Sequence, residues 1–252
     1  MKFDYPQTHQ IPELRQLWKK AFGDPDVFLD GFFSTGYDSR RCRCALSDGQ
    51  VAAALYWFNI SWDGLKCAYI YAVATDPVFR GQGLCRGLMA DTAALLKEAG
   101  YDGLLLVPQE ENLFSMYAKM GYLPGTDIRE FHCAAIENAI PIREISSAEY
   151  ASRRAALLPP GGVTQAGENL PFLDWLAYFY AADDFLAAVS RAPGHLRILE
   201  YLGNPSQAPA LVAALGHRES TLRMPGEGRT YSMYLPLSPR CTRPGYFAFC
   251  YD

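Results

Sequence analysis

The sequence contains no apolar run approaching the roughly 18 residues that a membrane-spanning helix needs. Its opening, MKFDYPQTHQ, has no apolar core of the kind a secretory signal carries. Cysteine occurs seven times, an odd count, with no Cys-x-x-Cys pair. Cys42 and Cys44 fall on one face of a strand and are too close along the chain to bridge comfortably. The four histidines (His9, His132, His195 and His217) are scattered, so no zinc or other metal site is expected. A reducing cytoplasm is the compartment these features suggest. Positive charge is not in excess either, since 23 Lys and Arg stand against 27 Asp and Glu, a formal net charge of −4. A nucleic-acid surface is therefore not expected, and Arg40, Arg41 and Arg43 read as one solvated strand face. Half of the 252 residues are hydrophobic and a fifth are charged, enough core material for one large domain or two small ones.

The most organised stretch is residues 68–96. It opens with the apolar run AYIYAVAT, of the length and composition of a strand buried on both faces. Asp76-Pro77 stops it, because Pro77 has no N–H to give a ladder. Arg80-Gly81-Gln82-Gly83 follows. Then Leu84, Leu88, Leu95 and Ala99, with Met89 and Leu96 beside them, recur at helical spacing. A strand, a glycine loop and a helix start aim several backbone N–H groups at one point, where the helix dipole adds positive character. Gly81 and Gly83 permit a left-handed backbone and put no Cβ in the way of a ligand. The guest this geometry favours is a phosphate or pyrophosphate. The Gly-Lys-Ser/Thr of a P-loop is absent, and Gly87 falls one place late for a dinucleotide GxGxxG.

Arg80-Gly81-Gln82-Gly83-Leu84-Cys85 resembles the pyrophosphate loop Gln/Arg-x-x-Gly-x-Gly/Ala of the GNAT acyltransferase superfamily, with Cys85 at the final small-residue position. The run Val73-Ala74-Thr75-Asp76-Pro77 is similar to the family's central strand entering its loop. Residues 112–122, NLFSMYAKMGY, are similar to its later Asn…Tyr-x-x-x-Gly-Phe/Tyr element. These three ordered elements lie within residues 41–134. The resemblance implies an α/β (α+β) GNAT fold: a mixed, mostly antiparallel central sheet with flanking helices and a parallel, splayed strand pair. It also implies an acetyl-CoA-dependent N-acetyltransferase. Acetyl-CoA would be held by Val73, Ala74, Thr75, Arg80, Gly81, Gln82, Gly83, Leu84, Cys85, Asn112 and Tyr117. Its pantetheine arm would pair with the backbone of Val73 and Thr75, and an N–H near Val73 would polarise the thioester carbonyl. Tyr117 would protonate the departing thiolate, a phenol near pKa 10 being matched to a thiol near 8.5. Asn112 would bond the pantetheine or cap its helix. The base remains open among Glu110, Glu111 and Asp76, with Glu110 the working choice. Cys85 is not read as a nucleophile, because transfer in this family is direct.

Around the loop, residues 13–22 and a second helix opened by Asp24-Pro25 show helical spacing, the latter with Val27, Phe28, Gly31 and Phe32 inward. In the family this pair lines the acceptor side, which makes Phe28 and Phe32, with Phe33 and Tyr37, candidates for the substrate wall; Tyr71, on the strand before the thioester position, is a candidate for the acceptor cleft as well. Asp48-Gly49 and Asp63-Gly64 mark two hairpins in an antiparallel meander leading to the strand 65–75. A right-handed crossover then leads to a parallel strand over 104–107, ended by Pro108.

The first sheet is expected to finish near Phe131–Ala135, with residues 137–143 as connector. Ser146-x-x-Glu149 is a capping box for a helix to Leu158. Residues 170–182 read as an aromatic helix, 185–189 and 196–202 as strands, 206–215 as a helix, and 221–224, 230–235 and 246–251 as strands. This order repeats that of the first half, but Leu202-Gly203-Asn204-Pro205 replaces the glycine-rich loop. The expected division is a catalytic domain over 1–138 and a smaller, degenerate GNAT-like domain over 139–252. Paired domains of this kind resemble aminoglycoside acetyltransferases of the enhanced-intracellular-survival type, in which a C-terminal carboxylate is the base. Asp252 is the corresponding candidate here. The acceptor would be a small-molecule or peptide amine, and the chain a monomer or homodimer. A longer acyl donor, a silent acyl-CoA sensor and a structural partner domain are the rival readings.

Overall fold

The structure, a computed structural model, describes residues 2–165, 167–192 and 194–248. The chain runs β1 (Lys2–Asp4), α1 (Ile11–Phe22), α2 (Asp26–Thr35), β2 (Cys42–Ser47), β3 (Gln50–Trp62), β4 (Leu65–Thr75), α3 (Leu84–Glu98), β5 (Gly103–Leu106), α4 (Glu111–Ala118), β6 (Leu123–Pro124) and β7 (Asp127–Ala134). It continues with β8 (Arg143–Ile145), α5 (Ser147–Leu157), α6 (Leu170–Leu176), β9 (Ala177–Ala181), β10 (Phe185–Ser190), β11 (Arg197–Gly203), α7 (Ala208–Ala214), β12 (Glu219–Thr230) and β13 (Met233–Pro236). Among the described residues no helix is long and apolar enough to cross a membrane.

The meander forms as its turns dictate. Asp48 and Gly49 have φ of 50° and 84°, and Asp63 and Gly64 have 51° and 72°, the paired positive angles of a two-residue hairpin turn whose twist matches the strands. Between them β3 is buried almost without a break, as its run VAAALYWF requires. β1, which the sequence reading does not mark, pairs antiparallel with β2, Phe3 opposite Ala45. In α2 the inward residues are Leu29, Gly31 and Phe32, while Val27 is 66 % exposed, so the buried stripe lies one step round from the expected one.

The strand order of one sheet is β1-β2-β3-β4-β5-β13-β6, and of the other β7-β12-β11-β10-β9-β8. The segment expected to finish the first sheet, β7, instead pairs antiparallel with β12 in the second. Its place beside β5 is taken by β13, which arrives from the far end of the chain. The contiguous halves thus exchange a strand each. By contacts, one unit comprises Met1–Ile60, Leu65–Leu123 and Tyr234–Thr242, and the other Ser61–Gly64, Pro124–Met233 and Arg243–Asp252. Asp102, at the entry to β5, clasps the returning segment. Its carbonyl accepts from the N–H groups of Leu237 (2.9 Å) and Ser238 (3.1 Å). Its carboxylate accepts from Ser238 Oγ (2.8 Å) and Arg240 Nη2 (2.9 and 3.0 Å).

In the second unit, β11 and β12 are parallel, with Ile198 opposite Leu222, and α7 forms the crossover between them. α6 is shorter than expected: Tyr178, Phe179 and Tyr180 belong to β9, where alternate residues are buried between β8 and β10. An aromatic run fits either period, and only the neighbouring strands decide it. Arg143, expected in a connector, begins β8. The two strands expected over 221–224 and 230–235 are one long β12, interrupted by a register shift between Met224 and Arg229, and then β13. Residues 249–252 lie outside the described part, and with them half of the strand expected over 246–251 and the candidate base Asp252. Under the second sheet, Arg154 and Glu200 form a buried pair, 2 % and 0 % exposed. Arg154 Nε and Nη2 reach the two carboxylate oxygens at 2.6 and 2.9 Å, Arg154 Nη1 donates to the Val163 carbonyl at 2.5 Å, and the Tyr150 hydroxyl donates to Glu200. Every lone pair and N–H that matters is answered there, which is what makes a buried ion pair tolerable.

Candidate active site

The parallel pairing of β4 with β5 covers Cys67, Ala68 and Tyr69 against Gly103, Leu104 and Leu105, and goes no further. β4 runs on to Thr75, so the two strands part. Ala72 has φ +48°, a sparsely populated conformation for an alanine and one that bends the strand at the parting. Val73 and Thr75 are half-buried and Ala74 is buried. The Thr75 carbonyl accepts from Arg80 Nε at 3.3 Å. Past the end of β4, the Asp76 N–H donates to Ala52 O at 2.9 Å, on the side away from β5.

Asp76 then shapes the loop. Its Oδ1 accepts from the Val78 N–H at 3.0 Å, and its Oδ2 meets Lys20 Nζ at 2.8 Å. The Lys20 ammonium, and after it the Val78 amide, hold this carboxyl below its usual range. Asp76 is therefore a paired structural carboxylate, a poor proton acceptor. Gly81 and Gly83 both adopt left-handed φ, +77° and +76°, and a Cβ added to either meets nothing within 4 Å. Gly83 caps α3 with no side chain, and the first helical bond runs from the Gly87 N–H to Gly83 O at 2.9 Å. The N–H groups of Leu84, Cys85 and Arg86 are thus the free donors of a helix start. Arg80, Gly81, Gln82 and Gly83 are exposed, Leu84 is buried and Cys85 half-buried. The result is an open cradle of amide donors with a guanidinium beside it, and it fits an anionic diphosphate. Gly87 has a separate reason: a Cβ there would come 2.8 Å from the Phe3 ring.

α4 supplies the tyrosine. Its last turn closes with Tyr122 N–H donating to Tyr117 O at 3.1 Å and Gly121 N–H to Ala118 O at 3.0 Å, with Gly121 at φ +91°. That is the left-handed helix ending that needs glycine and brings the two flanking side chains together. The Tyr117 and Tyr122 rings meet edge-on, centroids 5.7 Å apart. This explains the Tyr-x-x-x-Gly-Tyr spacing without appeal to a ligand. Tyr117 is 7 % exposed, and burial, reinforced by Cys85, raises its phenol above the ordinary value. Burial raises the Cys85 thiol as well, so it stays protonated and inert. The loop's last residue and the tyrosine are therefore within electrostatic reach of each other. Glu110 precedes α4 and is exposed, and its carbonyl accepts from Leu113 N–H at 3.1 Å. Asn112 is the second residue of α4, exposed, and does not cap the helix; its carbonyl accepts from Ser115 Oγ at 2.9 Å. Tyr122 is the residue the sequence reading passes over, although its place in the motif admits phenylalanine.

On the N-terminal side, Trp18, Phe32, Tyr56 and Tyr71 form an aromatic cluster. Phe32 sits at its centre, 1 % exposed, with Trp18 at 4.6 Å, Tyr56 at 5.1 Å and Tyr71 at 5.9 Å between centroids. Phe28 and Tyr71 are half-buried, at 6.1 and 5.6 Å from the Trp18 ring. Phe32 thus stands behind the surface that Phe28 and Tyr71 present. In the second unit, the turn between β11 and α7 is closed by Asp184. Its carbonyl accepts from Asn204 N–H at 3.1 Å, its carboxylate accepts from Gln207 Nε2 at 2.8 Å, and a Cβ on Gly203 would strike its carbonyl at 2.1 Å. A carboxylate at that turn disfavours an anion.

Residues 2–125 match the family model of the acetyltransferase (GNAT) domain. No curated protein matches the sequence. Among solved structures, a GCN5-related N-acetyltransferase from Kribbella flavida superposes with a TM-score of 0.72 at 17 % identity, over 92 % of this chain and 70 % of its own. Eis1 from Mycobacterium abscessus gives 0.68 at 14 % identity, over 94 % and 74 %. A tandem GNAT protein from the clavulanic acid biosynthesis pathway gives 0.59 at 12 % identity, over 95 % and 99 %. At these identities the likeness is one of fold. The segment that holds the glycine cradle, the parted strands and the buried tyrosine, residues 2–125, is therefore a GNAT acetyltransferase domain, a fold for acyl transfer whose family uses acetyl-CoA.

Proposed function

We propose that the chain is a cytoplasmic N-acetyltransferase that moves an acetyl group from acetyl-CoA to a primary amine of a small molecule or peptide by direct attack. One combination of observations supports this reading: Gly81 and Gly83 leave the start of α3 open, β4 runs on past its pairing with β5, and the buried Tyr117 lies within electrostatic reach of Cys85 in the first turn of α3. Acetyl-CoA, when bound, supplies an acyl group activated as a thioester. The amides from Gly81 to Cys85 and the Arg80 side chain hold its diphosphate, and the backbone of Val73, Ala74 and Thr75 receives the pantetheine arm. A backbone N–H near Val73 polarises the carbonyl, where a fixed dipole in a dry site contributes most. Tyr117 donates its proton to the departing sulfur. Burial keeps that phenol protonated, and the same dry setting makes a thiolate more basic, so donor and acceptor stay matched. Asn112 bonds the pantetheine, Glu110 takes the proton of the amine directly or through water, and Tyr71 and Phe28, backed by Phe32, line the acceptor side.

The test is titration calorimetry with acetyl-CoA, followed by free-thiol release with a panel of amines, for the wild type, Tyr117→Phe and Glu110→Gln across pH. Tyr117→Phe should lower kcat by about a hundredfold and leave the affinity for acetyl-CoA within about twofold. Glu110→Gln should lower kcat and leave the affinity for acetyl-CoA within about twofold. Absence of heat with acetyl-CoA refutes the donor site, and equal turnover of Tyr117→Phe and wild type at every pH refutes the acid.

A further inference from the structure

Two adjoining cavities, of about 460 and 540 Å³, are lined wholly by residues of the second unit. Arg153, Ala182, Asp183 and Asp184 line both, so the end of α5 and the turn from β9 to β10 form their common boundary. One cavity continues along Ile140 and Ile142, the other along Leu157 and Leu186.

The charged groups at this boundary are not equally occupied. Arg143 grips Glu149, its Nη1 and Nη2 donating to the two carboxylate oxygens at 3.0 and 2.5 Å. Arg153 Nε reaches the same carboxylate at 2.9 Å, which leaves its Nη1 and Nη2 without a partner among the described residues. Asp184 is spent on the fold, its carboxylate accepting from Gln207 Nε2 and its carbonyl from the Asn204 N–H. Asp183 is exposed, and its side chain has no hydrogen bond or ion pair among the described residues. Arg153 and Asp183 therefore line the same cavities with opposite charge and do not pair with each other. The walls beside them keep apolar surface open: Leu157 is 47 % exposed, and Ile140 and Ile142 are half-buried. Apolar walls with a few unspent polar groups are the composition of a small-molecule site.

We propose that this boundary binds a free α-amino acid with an aliphatic side chain. The ligand carboxylate takes the outer N–H groups of Arg153, whose fork matches two carboxylate oxygens. The ligand ammonium donates to Asp183, and the side chain lies against Leu157 and Leu186. A simple anion would meet Asp183 and Asp184, and a simple cation would meet Arg153, so a ligand carrying both charges is the one that satisfies the pair. Water reaches both charges, which weakens each contact and puts the dissociation constant near about 0.1–1 mM. The site shares no residue with the donor site proposed above, and its test needs no coenzyme.

That test is titration calorimetry with L-leucine, L-isoleucine and L-valine, up to about 10 mM, on wild type, Asp183→Asn and Arg153→Gln. At least one of the three should bind wild type, and each variant should weaken it by about tenfold, the scale of one hydrogen bond to a charged group. Both side chains are exposed, so the variants should melt within about 2 °C of wild type. The amide of the tightest binder lacks the carboxylate, and its deaminated acid lacks the ammonium. Each should bind wild type at least about tenfold more weakly than the amino acid. Arg153→Gln should weaken the amide no further, and Asp183→Asn the deaminated acid no further. No heat with any of the three amino acids overturns the proposal, as does an affinity unchanged in either variant. Should a variant melt far below wild type, the analogues on wild type decide: equal binding of amino acid, amide and acid overturns the proposal.

Discussion

Gly83→Ala separates what the loop does for the fold from what it does for a ligand. Gly83 sits at φ +76° with nothing within 4 Å of an added Cβ. The methyl meets no protein atom, so its cost to stability is confined to the left-handed backbone, about 1–2 kcal/mol. For a chain of this length that is a loss of about 2–8 °C in melting temperature. Gly23, at the end of α1, provides a matched control. Its φ is +75°, it too has nothing within 4 Å, and it lies outside the loop. Gly23→Ala should therefore show the same thermal loss. The two variants should part in calorimetry with acetyl-CoA, because only the Gly83 methyl enters the space where amides and diphosphate meet. Its dissociation constant should rise by at least about tenfold, or 1.4 kcal/mol, with Gly23→Ala unchanged. If both variants lose the same stability and bind acetyl-CoA equally, the cradle is not where the ligand sits, and the reasoning from open space and free amides is wrong.

Two other perturbations test the framework. Arg154→Met leaves the Glu200 carboxylate buried and unpaired, and should cost about 3–5 kcal/mol in urea unfolding, with much of it regained in Arg154→Met/Glu200→Leu. A loss below about 1 kcal/mol for the single variant would mean that the pair is hydrated in solution. Asp102→Asn addresses pH. The Ser238 hydroxyl and the Arg240 guanidinium hold the Asp102 carboxyl below its ordinary 3.8, so its contribution to stability is present above that value and is lost as pH falls through the lower folded-state value. The gap in unfolding midpoint between wild type and Asp102→Asn should be widest near neutral pH and narrow as pH falls below the ordinary carboxyl value of 3.8. A gap that does not change with pH would show that the carboxylate's charge plays no part in holding the C-terminal segment.

Much of the candidate donor site was legible in the sequence because it is local. Arg80 to Cys85, the strand before them and the helix after them are contiguous, and glycine spacing with an apolar period fixes a loop at a helix start wherever it occurs. The Asp-Gly hairpins are equally local, and both are present. Tyr117 was marked by its motif, but its burial, its shifted phenol and its nearness to Cys85 are set by the closed fold and not by the local sequence. The demotion of Asp76 as a base needed Lys20, 56 residues away in sequence.

What tertiary structure alone decided is who pairs with whom. β7 follows β6 directly, and local propensity gives no reason for it to leave the first sheet, nor for β13 to replace it beside β5. Strand-forming residues specify that a segment will pair and which face it buries, whereas the choice of partner depends on hydrogen bonds and contacts closed over more than a hundred residues. Asp102 shows the difference. In the sequence it is one acidic residue ahead of an apolar run; in the fold its carboxylate holds Ser238 and Arg240, and with them the strand that completes the sheet.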